Sequence, residues 1–316
     1  MNIQTFLDDT GYLLSVDFVQ QALIACALLG VLSGVMTSLV VLRQMSFSVH
    51  ATSELALMGA AAALLFGLNI GWGAIAGAIG AAIVLAVLGF RGQQDSAIGV
   101  VMSFGLGLSV LFLHLYPGNP TAAMTLLTGQ IVGVSSASVW LLALTTIVVV
   151  AAVMLFWRPM LFASADPVIP IRAISVLFAV LVGLAAAQSV QIVGALLVMA
   201  LLITPGAAAV QITSSPLKTV LWSVIFAEVA AVGGLILSLA PGLPVSVFVT
   251  TISFAIYLVC RAVGVLKNRR AVRDDIAAKR DKAEFAATVS PRMGNADPSQ
   301  IHHTSHHDEH CDHIDD

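Results

Sequence analysis

The sequence has 316 residues, of which 59% are hydrophobic and 10% are charged, and its mean hydropathy is +0.98. Soluble domains carry about 25% charged residues, so this composition excludes a chain that folds wholly in water. The net charge of −3 is uninformative as a total, and no nucleic-acid partner is expected. The three cysteines form no disulfide pattern.

Successive apolar segments along the chain are candidates for membrane-spanning helices, each of which needs about 20 mostly apolar residues. In chain order they cover residues 18–42, 46–68, 70–90, 97–116, 138–157, 172–188, 190–210, 219–240 and 244–264. Three pairs are joined by very little, namely Asn69, Ser189 and the turn Pro241–Leu243. Such joins favour helical hairpins or broken helices. The sequence therefore predicts an all-α, polytopic membrane helix bundle of about eight to nine transmembrane helices.

The basic residues lie on one side of this arrangement. Six of them fall at alternate loops or span ends, which the predicted spans place on the same side of the membrane: Arg43, Arg91, Arg158, Arg172, Lys218 and Arg261. The other eight, from Lys267 to Arg292, follow on that same side, and the opposite loops contain none. Basic residues stay on the cytoplasmic side of a membrane. This layout predicts a multi-pass cell-membrane protein with an external segment 1–17, a transmembrane domain 18–266 and a cytoplasmic tail 267–316.

Polar side chains cluster at the start of the second span, where His50 and Glu54 share one helix face at positions i and i+4. If this span starts near residue 46, Glu54 lies about 12 Å deep. Ionisable groups at such depth usually face a cavity or a partner. An imidazole nitrogen and a carboxylate oxygen suit Zn, Mn or Fe(II). A satisfied polar pair at a helix end would look the same, so residue chemistry leaves both interpretations open.

The same stretch resembles a family signature. The run Arg43-Gln44-Met45-Ser46-Phe47, followed by a polar helix and Gly59, is similar to R-R-M-S-Y-F-G-D-x-L-x-H-x-x-x-x-G. That pattern belongs to the membrane subunits of ABC-type zinc, manganese and ferrous-iron importers. In this alignment the family's Asp falls on His50 and its His on Glu54, so the two groups exchange order. The resemblance implies that His50 and Glu54 line the ion path.

Four further stretches resemble the same family in the same order: 95–99, 126–130, 193–208 and 234–244. The resemblance extends from about residue 20 to 262 and implies a permease that works as a homodimer. It also implies two partners, a cytoplasmic ATPase subunit and an extracytoplasmic metal-binding protein. The expected cargo is a divalent ion of zinc, manganese or iron, with zinc or manganese favoured, and no tightly bound cofactor is expected.

The candidate coupling segment departs from the family pattern. The family has D-P-E-x-A-R-x-x-G-V, similar to a short helix that docks into the ATPase, whereas here Asp166, Pro167 and Arg172 remain and the segment is shortened. Pro170 disfavours a helix through this segment. The chain has no G-x-x-x-x-G-K-[ST] phosphate loop. It is therefore not expected to be an enzyme, and ATP hydrolysis is expected on a separate subunit.

Two other polar features remain outside the family pattern. Glu228 lies in the middle of a span, where either a functional role or a hydrogen bond between helices would account for it. The end of the tail is a tract that suits metal binding, with candidate ligands His302, His303, His306, His307, His310, Cys311 and His313.

A gradient-driven secondary metal transporter or exporter is the alternative function. Such a protein needs a network of membrane acids, and only Glu54 and Glu228 lie clearly inside the predicted spans. An intramembrane protease is disfavoured, because no H-E-x-x-H motif occurs and the spans contain just two histidines, His50 and His114.

Overall fold

The computed structural model describes residues 15–89, 94–119, 134–165, 172–239 and 244–293, with the single positions 11, 13, 126 and 241. Within these residues the regular structure is helical and no strand occurs, which confirms the predicted all-α class. The helices are α1 (Asp17–Leu42), α2 (Ser46–Leu65), α3 (Ile70–Gly89), α4 (Gln94–Leu115), α5 (Ser136–Leu155), α6 (Trp157–Ala165), α7 (Arg172–Val193), α8 (Val198–Leu202), α9 (Thr204–Ile212), α10 (Pro216–Leu239) and α11 (Val245–Met293).

Seven helices in the described part are long and apolar enough to cross a membrane. They are α1, α2, α4, α5, α7, α10 and the part of α11 that ends at Arg269. The apolar stretches Ile70–Leu85 and Val198–Ile212 are shorter. A multi-pass membrane bundle is therefore confirmed, whereas the predicted number of eight to nine spans is not reached on length and composition.

The predicted join at Ser189 is wrong. Helix α7 continues through this residue to Val193, and the Ser189 hydroxyl donates to the Ala185 carbonyl at 2.8 Å. The chain turns instead at Gly194, whose φ of 84° lies in the left-handed region that glycine adopts without steric cost. The polar residues Gln188, Ser189 and Gln191 lower the local hydropathy, but they lie within α7 and do not end it.

The predicted join at Asn69 is present. The Asn69 carboxamide oxygen accepts from the backbone of Gly71 at 2.9 Å and of Trp72 at 3.3 Å, and so caps the first turn of α3. A break also occurs before Thr204-Pro205, since α8 ends at Leu202 and α9 begins at Thr204. A proline at a helix start loses no hydrogen bond, which explains its place there.

Close helix contacts depend on small residues. A Cβ atom added at Gly59 of α2 would lie 2.8 Å from the Cα atom of Gly77 on α3. Helix α7 packs against α3 and α2, and α10 packs against α1. Lipid offers no hydrophobic gain for such contacts, so close van der Waals packing holds the helices together.

The chain divides into two compact units, Met1–Gly264 and Val265–Asp316. The described part of the second unit is helical up to Met293. Its charged side chains that can be placed are exposed: Lys267, Arg269, Arg273, Lys279, Arg280, Asp281 and Lys282.

Candidate ion path

The helix that carries His50 and Glu54 begins at a tight turn. The Met45 amide donates to the Val40 carbonyl at 3.0 Å, and Gln44 has a φ of 55°. This left-handed residue is the usual way to end a helix and reverse the chain direction. As a result, α2 starts at Ser46, and His50 lies in its second turn.

His50 and Glu54 both carry buried atoms that no protein group satisfies. The Nδ1 atom of His50 and the Oε2 atom of Glu54 are buried and have no hydrogen-bond partner among the described residues. Glu54 is only 8% exposed. A buried charged group without a partner is costly, and in a membrane such groups line ion or proton pathways. The pair is therefore the strongest candidate in the described part for contact with a cation.

The hydroxyl groups beside this pair behave differently. Thr52 donates to the Ser48 carbonyl at 2.7 Å, and Ser53 donates to the His50 carbonyl at 2.7 Å. Both are ordinary hydrogen bonds to the preceding turn of a helix. The polar start of α2 is thus divided between hydroxyls that the helix satisfies and two ionisable groups that it does not.

One chain supplies few ligands at this place. No group of three His, Cys, Asp or Glu side chains lies together within the described residues. Structural zinc sites use four ligands, and larger divalent ions commonly take six or more. The pair could therefore supply two ligands, and water or another subunit would have to complete the coordination of a bound ion.

Arg43 connects the start of this region to α6. Its Nη2 atom donates to the Met160 carbonyl at 3.1 Å, and its guanidinium lies 4.3 Å from the centre of the Phe178 ring on α7. Helix α6 ends at Ala165, immediately before the candidate coupling segment. Arg172 is the first residue of α7, whereas Asp166 and Pro167 lie outside the described residues.

Glu228 has a different environment. It is partly buried on α10 and lies against α1, where a Cβ atom added at Gly30 would be 2.7 Å from its Oε1 atom. This position fits packing between two helices.

His114 is exposed near the end of α4. The predicted ligands of the tail, His302 to His313, lie outside the described residues.

Two glutamines on α7 are polar features that the sequence reasoning missed. Gln188 is 0% exposed, and neither Nε2 nor Oε1 has a partner among the described residues. Gln191 donates from Nε2 to Ser138 Oγ at 3.1 Å, while its Oε1 is buried without a partner. The signal was available, since two amides three residues apart interrupt an otherwise apolar run.

A cavity lies beside Gln191, at the end of the bundle that contains the Asn69 turn. Its volume is about 380 Å³, and its polar lining comes from Asn69, Ser135, Ser138 and Gln191. Leu68, Ile70, Leu126, Val134 and Ile192 supply apolar walls. This end is opposite the one where Arg43 meets α6, because α2 and α7 each run between the two.

Comparison with known proteins places the chain in a family. Residues 15–264 match the model of the ABC 3 transport family. The manganese transport system membrane protein MntC of Listeria monocytogenes is 30% identical over 270 residues, which cover 82% of this chain and 96% of that protein. The manganese import system permease protein ScaB of Streptococcus parasanguinis is 28% identical over 250 residues, covering 77% and 89%.

Solved structures agree with this result. The structure of PsaBC from Streptococcus pneumoniae in complex with Fab has a TM-score of 0.73 and 25% identity, and the match covers 82% of this chain and 95% of that chain. A metal-chelate type ABC transporter in an inward-facing conformation shares the fold, with a TM-score of 0.57 at 13% identity. The resemblance to ABC-type metal-ion permeases is confirmed, and the chain belongs to the ABC 3 transport family.

Proposed function

We propose that this chain is the membrane-spanning permease subunit of an ATP-binding-cassette importer for divalent transition-metal ions, with Mn²⁺ as the first candidate cargo. The observation that carries the proposal is the pair of buried, unsatisfied ligand atoms His50 Nδ1 and Glu54 Oε2 within a membrane-spanning helix. Relatives named for manganese transport favour this ion. Uptake of zinc or iron in place of manganese would be detected by the same test.

The pair would replace part of the hydration shell of the ion. A divalent ion that enters a low-dielectric span must exchange water for protein ligands, and a carboxylate with an imidazole suits Mn²⁺ and Zn²⁺. Two copies of the chain would supply four such ligands around one path. We therefore propose a homodimer in which each α2 contributes His50 and Glu54, with water completing a six-coordinate Mn²⁺.

ATP hydrolysis would take place on a separate cytoplasmic subunit, because the sequence contains no phosphate-binding loop. The segment with Asp166, Pro167 and Arg172 is the proposed contact with that subunit. The Arg43 contacts to Met160 and Phe178 join the start of α2 to the helix before this segment. A movement of the coupling segment would therefore be transmitted to α2, the helix that carries the proposed ion ligands. An extracytoplasmic metal-binding protein would deliver the ion.

The proposed orientation has the N-terminus outside and the tail inside the cell, because the proposed spans would put every Lys and Arg on one side of the membrane. The two shorter stretches, Ile70–Leu85 and Val198–Ile212, would complete nine crossings. Residues 1–17 would then be external, 18–266 the transmembrane domain and 267–316 cytoplasmic. Cysteines introduced at Gly118 and Ser290 test this: an impermeant reagent should label intact cells at Gly118, and labelling at Ser290 alone would contradict it.

The function is tested by reconstituting the chain with its ATPase in proteoliposomes, adding the extracytoplasmic metal-binding protein, and measuring uptake of Mn²⁺, Zn²⁺ and Fe²⁺ separately. The proposal expects ATP-dependent uptake that His50→Ala and Glu54→Ala abolish without preventing assembly. Ser53→Ala is the matched control, since its hydroxyl is satisfied within the helix. Uptake that follows an ion gradient and ignores ATP would support the secondary transporter instead.

A further inference from the structure

We propose that Gln188 and Gln191, together with the cavity at their end of α7, form an outer vestibule that binds the hydrated divalent ion before it reaches His50 and Glu54. This inference rests on the proposed function, and it adds a second place along the path where the cargo is held. On the proposed orientation the vestibule faces outward, because α7 starts near the basic side and ends beside the Asn69 turn.

The carboxamide oxygen of Gln191 has no hydrogen-bond partner among the described residues and can accept one from a ligand. Its amide nitrogen is committed to Ser138 Oγ at 3.1 Å, so Oε1 is the atom without a partner. Gly71 of α3 gives this side chain its space, because a Cβ atom there would lie 2.8 Å from Oε1. The Asn69 oxygen is already used to cap α3. The Ser135 and Ser138 hydroxyls are hydrogen-bonded to each other at 3.0 Å, and Ser135 Oγ also caps α5. Gln191 Oε1 is therefore the cavity oxygen that has no partner among the described residues.

Gln188 lies one helical turn deeper, at about 4.5 Å for three residues. Full burial of a primary amide without a hydrogen bond costs several kcal/mol in apolar surroundings, so folding gains nothing from it. Methionine would fill similar space without that cost. The neighbouring Ser189 is equally buried, yet its hydroxyl is satisfied within α7. The unsatisfied amide therefore points to a ligand of the transport cycle.

The chemistry favours a hydrated cation over other solutes. The polar lining of the cavity consists of neutral groups, and no basic side chain is among its described lining residues, which disfavours an anion. Amide oxygens accept hydrogen bonds from the water of an aqua ion and can also bind a hard cation directly. At about 30 Å³ for each water, six waters around an ion fit within the cavity's 380 Å³.

Neutral oxygens also suit a site that must release its ion. Conduction requires that each site bind strongly enough to admit an ion and weakly enough to pass it on. A carboxylate at this place would retain the ion, whereas the charged pair on α2 can draw it onward. Helix α7 packs against α2 as well as α3, so both sites belong to one group of adjoining helices.

The test measures ATP-dependent Mn²⁺ uptake by the permease–ATPase complex in proteoliposomes, with the extracytoplasmic metal-binding protein at a fixed concentration and Mn²⁺ concentration as the variable. Gln188→Met and Gln191→Met should raise the concentration for half-maximal uptake by about tenfold, a change of about 1.4 kcal/mol, while the maximal rate is largely kept. The melting temperature of Gln188→Met should equal or exceed that of the wild type. Ser189→Ala is the matched control and should change neither quantity.

A second variant, which should strengthen ion binding instead of weakening it, gives an independent test if Gln188→Met fails to assemble. Gln191→Glu should lower the half-maximal Mn²⁺ concentration and also lower the maximal rate, because a carboxylate holds the ion too firmly. Wild-type half-saturation in both Gln191 variants would overturn the inference, as would a more stable Gln188→Met protein with unchanged uptake. Loss of all ATP-dependent Mn²⁺ uptake in the wild type would instead overturn the proposed function.

Discussion

Two acids inside the membrane domain occupy different environments. Glu54 on α2 is 8% exposed, and one carboxylate oxygen is buried without a partner. Glu228 on α10 is less buried and lies against Gly30 of α1. The sequence presents both simply as acids within apolar runs. Both acids lie within apolar spans, but of the two Glu54 alone combines enclosure with an oxygen that has no partner among the described residues, which is why we propose Glu54 and not Glu228 as an ion ligand.

Replacing each acid by glutamine should distinguish ion binding at Glu54 from helix packing at Glu228, with the largest difference in uptake. Glu54→Gln removes the charge that would bind the ion, so uptake should fall by about a hundredfold, or about 2.8 kcal/mol. Glu228→Gln keeps the shape of a side chain in a helix contact, so uptake should stay near that of the wild type. The measurement is ATP-dependent Mn²⁺ uptake at equal protein levels. Equal losses in both variants would remove the distinction.

Exchanging the two groups on α2 should have an intermediate effect. The double variant His50→Asp with Glu54→His restores the order of the family signature and keeps one carboxylate and one imidazole at i and i+4. It should retain clear uptake, whereas each single change should lose most of it. Uptake in the double variant that is no better than in the singles would mean that the order itself is essential to this chain.

The contact around Glu228 can be disturbed on its own. A methyl group at Gly34 would meet the backbone of Val224, whose nitrogen would be 2.9 Å away. Gly34→Ala should therefore lower stability by about 1–3 kcal/mol. Gly30→Ala displaces only the flexible end of Glu228 and should cost less. Thermal unfolding in detergent compares the two. A change in Mn²⁺ half-saturation caused by Gly30→Ala would implicate Glu228 in the ion path.

Removal of residues 301–316 should have the smallest effect. On the proposed orientation the His-rich tract would lie on the cytoplasmic side, beyond the path, and would meet metal after transport. The truncated protein should keep its maximal rate and change only how uptake depends on metal concentration. The control is an equally expressed full-length chain. Complete loss of uptake in the truncated protein would place the tract within the transport pathway.

Much of the fold was predictable from the sequence, because apolar length and basic-residue placement are strong signals in membrane proteins. His50 and Glu54 could be selected from the sequence because they are ionisable residues within a predicted membrane span. The turn at Gly194 was not predicted, since the polar residues fall at 188–191 whereas α7 ends at a glycine in the left-handed region. The two amides on α7 were visible in the sequence, but their enclosure by protein was not. Both faces of a membrane helix are apolar, so periodicity does not reveal which face is enclosed by protein.

Pulsed electron paramagnetic resonance of Mn²⁺ can show whether His50 of the proposed His50–Glu54 pair coordinates the transported ion. The chain has eight histidines, and a permease truncated after residue 300 retains only His50 and His114. In this protein, reconstituted alone with Mn²⁺, ¹⁴N modulation from a coordinated imidazole should be present, absent in His50→Ala and unchanged in His114→Ala. Modulation that persists in His50→Ala would contradict the account.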